Sequence, residues 1–385
     1  MKRIVLFSLV CVCLLSTSFA QKNTIDDKGF ELSKNLEIFS SVYKNLQLYY
    51  VDDINPGELV ESAITSMLET LDPYTNYIPE ANIEDMKLQV LGQYGGIGAL
   101  IHQHDNKVYI SEPYEKLPAD KAGLKAGDRI VEINGQSTEG RNSSDISAAL
   151  RGQAGTKFTL KLERNRKTFE KELTREEIKL KPVPYYGLVG EGQFGYIRLD
   201  EFTQSASADV SDAFHVLKVQ NPNMKGVILD LRGNGGGLLN EAVNIVNLFV
   251  DRGQLIVSTK GKVAEKNTYH RTMFPATDLN IPVAVLVDGG SASASEIVAG
   301  SMQDLDRGVI IGERTFGKGL VQNIVPLTYN SQLKITVSKY YIPSGRCIQA
   351  IDYSHRDESG KANKVPDSLK TAFKTKKGQI GRAHV

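Results

Sequence analysis

Two stretches hold residues whose types could do covalent chemistry: Ser291-Ala-Ser293-Ala-Ser295-Glu296, and Thr315-Phe-Gly-Lys318-Gly. A serine hydroxyl is a nucleophile when a base takes its proton. A lysine becomes such a base when it is stripped of water, because desolvation lowers its pKa. The glycines on either side of Lys318 carry no side chains to hold it in solvent and let its backbone approach another segment closely. Each motif also has a purely structural explanation. Ser293 and Glu296, three residues apart before an apolar run, form a capping box in which each satisfies the other's orphan amide. Lys318 could equally be a solvated loop lysine.

The elements around these motifs decide where they would point. Pro282 to Val287 is a short apolar, Val-rich run of the kind that makes a buried parallel strand, and Gly289-Gly290 breaks it. A helix is predicted to open at Ser291–Glu296 and run through Met302, which puts Ser293 at its N-terminus. Val309-Ile310-Ile311 is a second buried strand, leading into the lysine loop. From about Val183 strands and helices alternate: Phe194 to Leu199, a helix near Ser207 to Val219, Val227 to Leu231, and a helix from Leu238 to Val250. That succession predicts an α/β core with a mostly parallel sheet. Asp230-Leu-Arg-Gly-Asn-Gly235-Gly-Gly237 stands at the carboxyl end of a strand, where open α/β sheets place their sites, although it could be only a loose loop before a helix. Later, Leu333, Ile335 and Val337 alternate as a strand running towards Pro343-Ser-Gly.

Upstream the texture differs. Leu32, Leu36, Phe39, Tyr43, Leu46 and Tyr50, then Val60, Ile64, Met67 and Leu71, recur at helical spacing, and Asp72-Pro73 stops the second run. These two amphipathic helices could cap a core or pair with another subunit. From about Val90 come short strands: Gly95-Gly-Ile-Gly98-Ala-Leu-Ile101, Lys107 to Ser111, Asp128 to Asn134, and Lys157 to Glu163. A helical run near Ser144 to Leu150 lies among them.

The alternating Ser and Ala before Glu296, with Thr315 to Gly319 following at a separation of 25 residues between Ser293 and Lys318, resembles the C-terminal processing peptidases, also called tail-specific proteases. The resemblance covers roughly Leu32 to Gln349. It implies a Ser-Lys dyad with Ser293 as nucleophile and Lys318 as general base, Gln322 orienting the lysine, and Asp304 in a supporting position. It also implies an oxyanion hole from a backbone amide near Gly236 and Gly237 with that of Ala294. The β-rich block is similar to a PDZ domain, on the run Ala122-Gly-Leu-Lys-Ala-Gly-Asp128 before Arg129 to Gly135. Gly96, Ile97, Gly98 and Ala99 then match the loop whose amides receive a peptide carboxylate while the next strand takes the peptide by β-augmentation. Implied partners are proteins or peptides with free C-termini, a homodimer through the N-terminal helices, and an adaptor protein. The resemblance brings neither cofactor nor metal.

The implied organisation is a signal peptide over 1–20, an N-terminal helical region over 21–88, a PDZ-like domain over 89–178, a Ser-Lys protease core over 182–350, and a tail over 351–385. Met1-Lys-Arg, an apolar run of about 12 residues and Ser16-Thr-Ser-Phe-Ala20 have the three regions of a secretory signal. The apolar run is short of the ~20 residues that span a membrane comfortably. Cleavage after about Ala20 would give an exported protein, periplasmic or envelope-associated, keeping one cysteine, Cys347, of the three. Ile380-Gly-Arg-Ala-His-Val385 reads as a truncated or artefactual end. A net charge of +1 over 385 residues gives no electrostatic reason to expect nucleic acid.

Two rival functions have specific signatures. A Ser-His-Asp enzyme would need a histidine base, and no Gly-x-Ser-x-Gly is centred on Ser293. Of the six histidines only His270 falls in a core loop. A non-catalytic PDZ scaffold on a protease-like fold would be marked by loss of the serine or the lysine, and both are present.

Overall fold

The computed structural model describes residues 23–83, 86, 92–179, 181–366 and 371–381. The expected signal peptide, the start of the PDZ-like block at residues 89–91, and Arg382 to Val385 lie outside the described residues. The chain divides into two units, one ending at Met67 and one beginning at Leu68.

In the first unit, α1 (Asn23–Tyr49) and the greater part of α2 (Pro56–Glu69) are the two helices read from the apolar spacing. Asn55 starts α2 by accepting from the Gly57 and Glu58 amides through Oδ1. Phe30, Leu32, Leu36 and Phe39 on α1 remain exposed.

The second unit opens with β1 (Asn76–Ile78), followed by a PDZ-like β-rich block: β2 (Gln93–Gly96), β3 (Ala99–His104), β4 (Lys107–Pro113), β5 (Arg129–Ile133), β6 (Gln136–Ser137), β7 (Lys157–Arg164), β8 (Lys167–Thr174) and β9 (Glu176–Lys179). Its sheet runs in the order β3-β4-β5-β7-β8, so β3 keeps one free edge. The short α3 (Pro118–Lys121) and α4 (Ser143–Leu150) close its core, where Ile146 and Leu150 join Ile110, Ile130, Leu160 and Leu162. Asn142 and Asp145 form a capping box at the start of α4. The core of this block is therefore built from period-2 apolar positions on its strands and one helical stripe.

The protease-like part follows as β10 (Tyr185–Val189), β11 (Phe194–Arg198), α5 (Ala206–Gln220), β12 (Gly226–Asp230), α6 (Leu239–Asn247), β13 (Leu255–Gly261), β14 (Thr268–Arg271), β15 (Val283–Val287), α7 (Ala294–Asp304), β16 (Gly308–Gly312), β17 (Leu320–Pro326) and β18 (Gln332–Tyr341). The expectation of a mostly parallel sheet needs correction. Only β11-β12, β12-β15 and β15-β16 pair in parallel, and β10 adds an antiparallel edge. A second sheet, β1-β18-β13-β14 with β17 on β18, is antiparallel throughout. The physical reason is the connections. Helices α5 and α7 give the long crossovers that parallel neighbours require, whereas β13-β14 and β17-β18 are joined by short loops that can only make hairpins.

Both sheets share one apolar core. Phe214 and Leu217 of α5, Ile245 and Val246 of α6, and Ile297, Val298 and Met302 of α7 pack with Val285 of one sheet and Ile256, Val257 and Tyr340 of the other. Every residue of α7 from Ala294 to Met302 is buried. A helix enclosed on all sides holds its N-terminus in a fixed place, which is what a reacting group there requires.

Candidate active site

The strand β15 delivers the chain to a tight turn in which the three alternating serines do different work. Ser291 Oγ donates to the Leu231 carbonyl (2.8 Å) and Ser295 Oγ to the Asn234 carbonyl (2.9 Å), both fully buried. They fasten the turn to the loop after β12. Ser293 alone is half-buried and lines a cavity of about 540 Å³. Its backbone has φ 55° and ψ −111°, a conformation costly for a residue with a Cβ and one that persists only when its surroundings enforce it.

Glu296 is the enforcing group. Its carboxylate is completely buried, and its Oε2 accepts from the amides of both Ser293 (2.8 Å) and Lys318 (2.9 Å). Its Oε1 accepts from Thr315 Oγ1 (2.8 Å) and the Gly317 amide (2.7 Å). Burial pushes its pKa above the usual glutamate value against the pull of these donors. The sequence suggested only the first of the four bonds, the one belonging to a capping box.

Lys318 is held by its backbone on both sides. Tyr340 Oη donates to its carbonyl, and the Ser293 side chain lies beside the same hydroxyl. A Cβ at Gly317 would stand 2.4 Å from Ala350 Cβ, and one at Gly319 would stand 2.6 Å from Gln349 N. Only glycine allows this approach, and the loop uses it: Ala350 N donates to Gly317 O, and Gly319 N to Gln349 Oε1. The ammonium of Lys318 lies 4.5 Å from the centre of the Tyr74 ring. Its pKa is lowered from 10.5 to about 8, first by burial and then by Lys334, with Asp72 and Glu296 pulling the other way. Neither acid pairs with it. Asp72 is occupied by Tyr74 N, Thr75 N and Thr75 Oγ1, and Glu296 by its four donors. Ser293 Oγ and Lys318 Nζ share the cavity with no hydrogen bond between them.

The loop after β12 meets the serine turn closely. A Cβ on Gly236 would lie 2.7 Å from Ser293 Cβ and 2.9 Å from Ala294 N. Of the two glycines expected to supply an oxyanion donor, Gly236 has its amide committed to Asn234 Oδ1 (2.8 Å). The Gly237 and Ala294 amides have no acceptor among the described residues. Asn234, missed in the sequence, is fully buried; its Nδ2 donates to Leu199 O, and its carbonyl receives Ala292 N and Ser295 Oγ. A buried Asn in a Gly-rich loop would have been the signal.

Two further expectations change. Gln322 lines the cavity, but its Nε2 donates to Thr336 Oγ1 (3.1 Å) and not towards Lys318. Asp304 is absent from the cavity. It lies buried at the far end of α7, paired with Arg346 (3.0 Å) and accepting from Ser344 N (3.0 Å). A helix of 11 residues separates it from the serine by its whole length. Its bonds instead hold the segment 344–350 that carries Gln349 and Ala350 to the lysine loop. His270 sits on β14, bonded to Thr268 Oγ1 and outside the cavity.

In the PDZ-like block Gly98 has φ 65°, and a Cβ there would meet Leu117 Cδ1 at 2.5 Å. The carbonyls of Ile97 and Gly98 accept from Ala119 and Tyr114, while their amides have no acceptor among the described residues. Gly96 closes β2 and Ala99 opens β3, whose free edge runs beside α4. That is a loop of unsatisfied donors at the head of an open strand edge.

Comparison with known proteins identifies the family. Residues 193–354 match Peptidase family S41, residues 109–164 a PDZ domain, and residues 14–81 the activating protease CtpB N-terminal domain. The carboxy-terminal-processing protease of Bartonella bacilliformis is 39% identical over 324 residues, covering 83% of this chain and 73% of its own length. A probable CtpA-like serine protease of Staphylococcus aureus is 34% identical over 317 residues, 82% of this chain and 62% of its own length. Among solved structures, the photosystem II D1 C-terminal processing protease is 30% identical, with a TM-score of 0.47 over 81% of this chain and 89% of its own. On the extent of its identity to the Bartonella protease, the chain belongs to the carboxy-terminal-processing proteases of peptidase family S41, which are serine peptidases.

Proposed function

We propose that this chain is an exported endopeptidase that cleaves proteins near their C-termini with a Ser293-Lys318 dyad. The observation that carries the reading is the single oxygen, Glu296 Oε2, that receives the amides of both residues and so fixes their backbones to each other. Ser293 Oγ attacks the scissile carbonyl carbon as its proton passes to neutral Lys318 Nζ. The carbonyl electron pair moves to oxygen, which the Gly237 and Ala294 amides at the positive end of α7 stabilise. Collapse of the intermediate breaks the C–N bond, and the Lys318 ammonium protonates the departing amine. Water, deprotonated by Lys318, then attacks the serine ester, and as the acid leaves the Lys318 ammonium returns that proton to Ser293 Oγ. The Gly96–Ala99 loop takes the substrate's terminal carboxylate, and the free edge of β3 takes its last residues. Residues 1–20 direct the chain to the periplasm or envelope, and the exposed apolar residues of α1 suit pairing with a second copy.

The test is proteolysis of an unstructured substrate with a free apolar tail. Ser293→Ala should abolish turnover. Lys318→Arg should be as inactive as Lys318→Ala, because a guanidinium keeps charge and approximate length but is never neutral in a protein. Substantial turnover by Lys318→Arg would mean that another group takes the serine's proton.

A further inference from the structure

The cavity contains a second lysine. Lys334 projects from β18 into the same space as Ser293, Lys318 and Gln322. Its strand position is fixed between Asn76 of β1 and Ile324 of β17. It is half-buried, and no carboxylate among the described residues pairs with it. A half-buried, unpaired ammonium is costly, so its presence on the wall of a reaction site calls for a cause.

The charged and titratable groups around the two lysines come from several elements. Asp72 and Tyr74 stand on the segment before β1, Glu296 on α7, Tyr340 on β18, and Asp200 and Glu201 on the loop after β11. Asp200 is held by Arg198 at 2.7 Å, and Asp72 and Glu296 are saturated by their own donors. None of these acids neutralises either lysine by contact. The two ammonium groups therefore act on each other across a poorly solvated space, where like charges repel more strongly than in water.

We propose that Lys334 is a positioning residue for proton transfer, a fixed positive charge on the cavity wall that disfavours a second positive charge on Lys318 and so raises the neutral fraction of that lysine, the form that can take the Ser293 proton. The inference rests on Lys318 being the base. Lys318 is the one carried down to about 8 and its repulsion from Lys334 is the second-largest cause, whereas burial alone accounts for the lowering at Lys334. Lys318, whose backbone is tied to that of Ser293 through Glu296, is the lysine placed to exchange a proton with the serine. The same repulsion makes the Lys318 ammonium formed in the first step a stronger acid, which favours handing that proton to the leaving amine nitrogen.

The experiment compares pH profiles of kcat/KM for the unmodified enzyme, Lys334→Met and Lys334→Arg on a peptide without acidic side chains. In parallel, the titration of Lys318 is followed by its 13Cε resonance, assigned by its loss in Lys318→Arg. Lys334→Met keeps the stem and removes the charge. Its acid limb should move to higher pH, with kcat/KM lower by about threefold or more at pH 7 and restored on the alkaline plateau. Lys334→Arg should stay within about twofold at all pH values. Recovery on the plateau shows that the variant is folded. A loss that is uniform with pH, or a Lys318 midpoint that does not move, overturns the proposal. A midpoint that moves while the rate profile stays put upholds the coupling and instead refutes Lys318 as the base.

Discussion

A lysine whose surroundings disfavour its charged form should weaken the fold that contains it, and Lys318→Met measures by how much. The unfolded lysine binds its proton with the ordinary value of 10.5, the folded one with about 8. Below pH 8 the lysine is protonated in both states but less favourably in the folded one. At about 1.4 kcal/mol per pH unit that interval bounds the destabilisation at about 3 kcal/mol. Lys318 is only partly buried, so solvent screening reduces the effect to about 1–2 kcal/mol. The sign follows from proton counts. Between pH 8 and 10.5 the unfolded chain holds more protons, so stability of the unmodified enzyme rises with pH through that window. Lys318→Met, which has no proton to lose, should therefore be more stable by about 1–2 kcal/mol at pH 7, and most of that advantage should vanish by pH 10. Loss of the contact with Tyr74 lowers the variant's stability, by about 1 kcal/mol, at any pH where the lysine is charged. The decisive quantity is thus the change in the difference with pH. Urea denaturation of both proteins at pH 7 and pH 10 gives it, and background titrations common to both cancel. A difference that is the same at the two pH values would refute the argument, because Lys318 would then bind its proton as a solvated lysine does and could not serve as a base near neutrality.

Two other perturbations test the supports. Glu296→Gln places an NH2 where one carboxylate oxygen now accepts two donors; it should cost about 2–4 kcal/mol in urea denaturation and lower kcat far more than it raises KM, whereas retention of normal kcat would mean that the serine and lysine do not depend on that carboxylate. Gly98→Val puts a branched side chain at a position with φ 65° and only 2.5 Å from Leu117, so it should weaken binding of a free-tailed peptide at least about tenfold by calorimetry, with a C-terminally amidated peptide unaffected; equal weakening of both would remove the loop from tail recognition.

What the sequence exposed and what it hid divide along a physical line. Local patterns were legible. The Val-rich run of β15, the glycine break, the apolar start of α7 and the alternating residues of β7 each carry their period within a few residues. The antiparallel sheet was not, because the pairings that join its two hairpins and β1 link residues distant in the chain, as Lys260 with Lys339 and Asn76 with Lys334 do. No period in β1 or β13 announces such a partner. The same holds at the site. Ser293 and Lys318 could be named from residue type and spacing, whereas Tyr74 meets Lys318 from the segment before β1, Asn234 fastens the serine turn from the loop after β12, Lys334 and Tyr340 line the cavity from β18, and none of the four has a motif. Gln322 and Asp304 were assigned by resemblance alone, and the structure gives each a different neighbour, Thr336 for one and Arg346 for the other.

The absence of a bond between Ser293 Oγ and Lys318 Nζ follows from how the two residues are held. Glu296 and Tyr340 grip Lys318 by its main chain, so the loop is fixed while four methylenes of side chain remain able to swing. The ammonium then lies where its charge is best accommodated, over the Tyr74 face, since both nearby carboxylates are already saturated. Attraction to a ring face depends on the positive charge. Loss of the proton removes that attraction and at the same moment frees a lone pair on Nζ. On the proposed dyad, deprotonation would therefore both generate the base and release it from Tyr74, and the charge proposed for Lys334 would favour that one event in both respects.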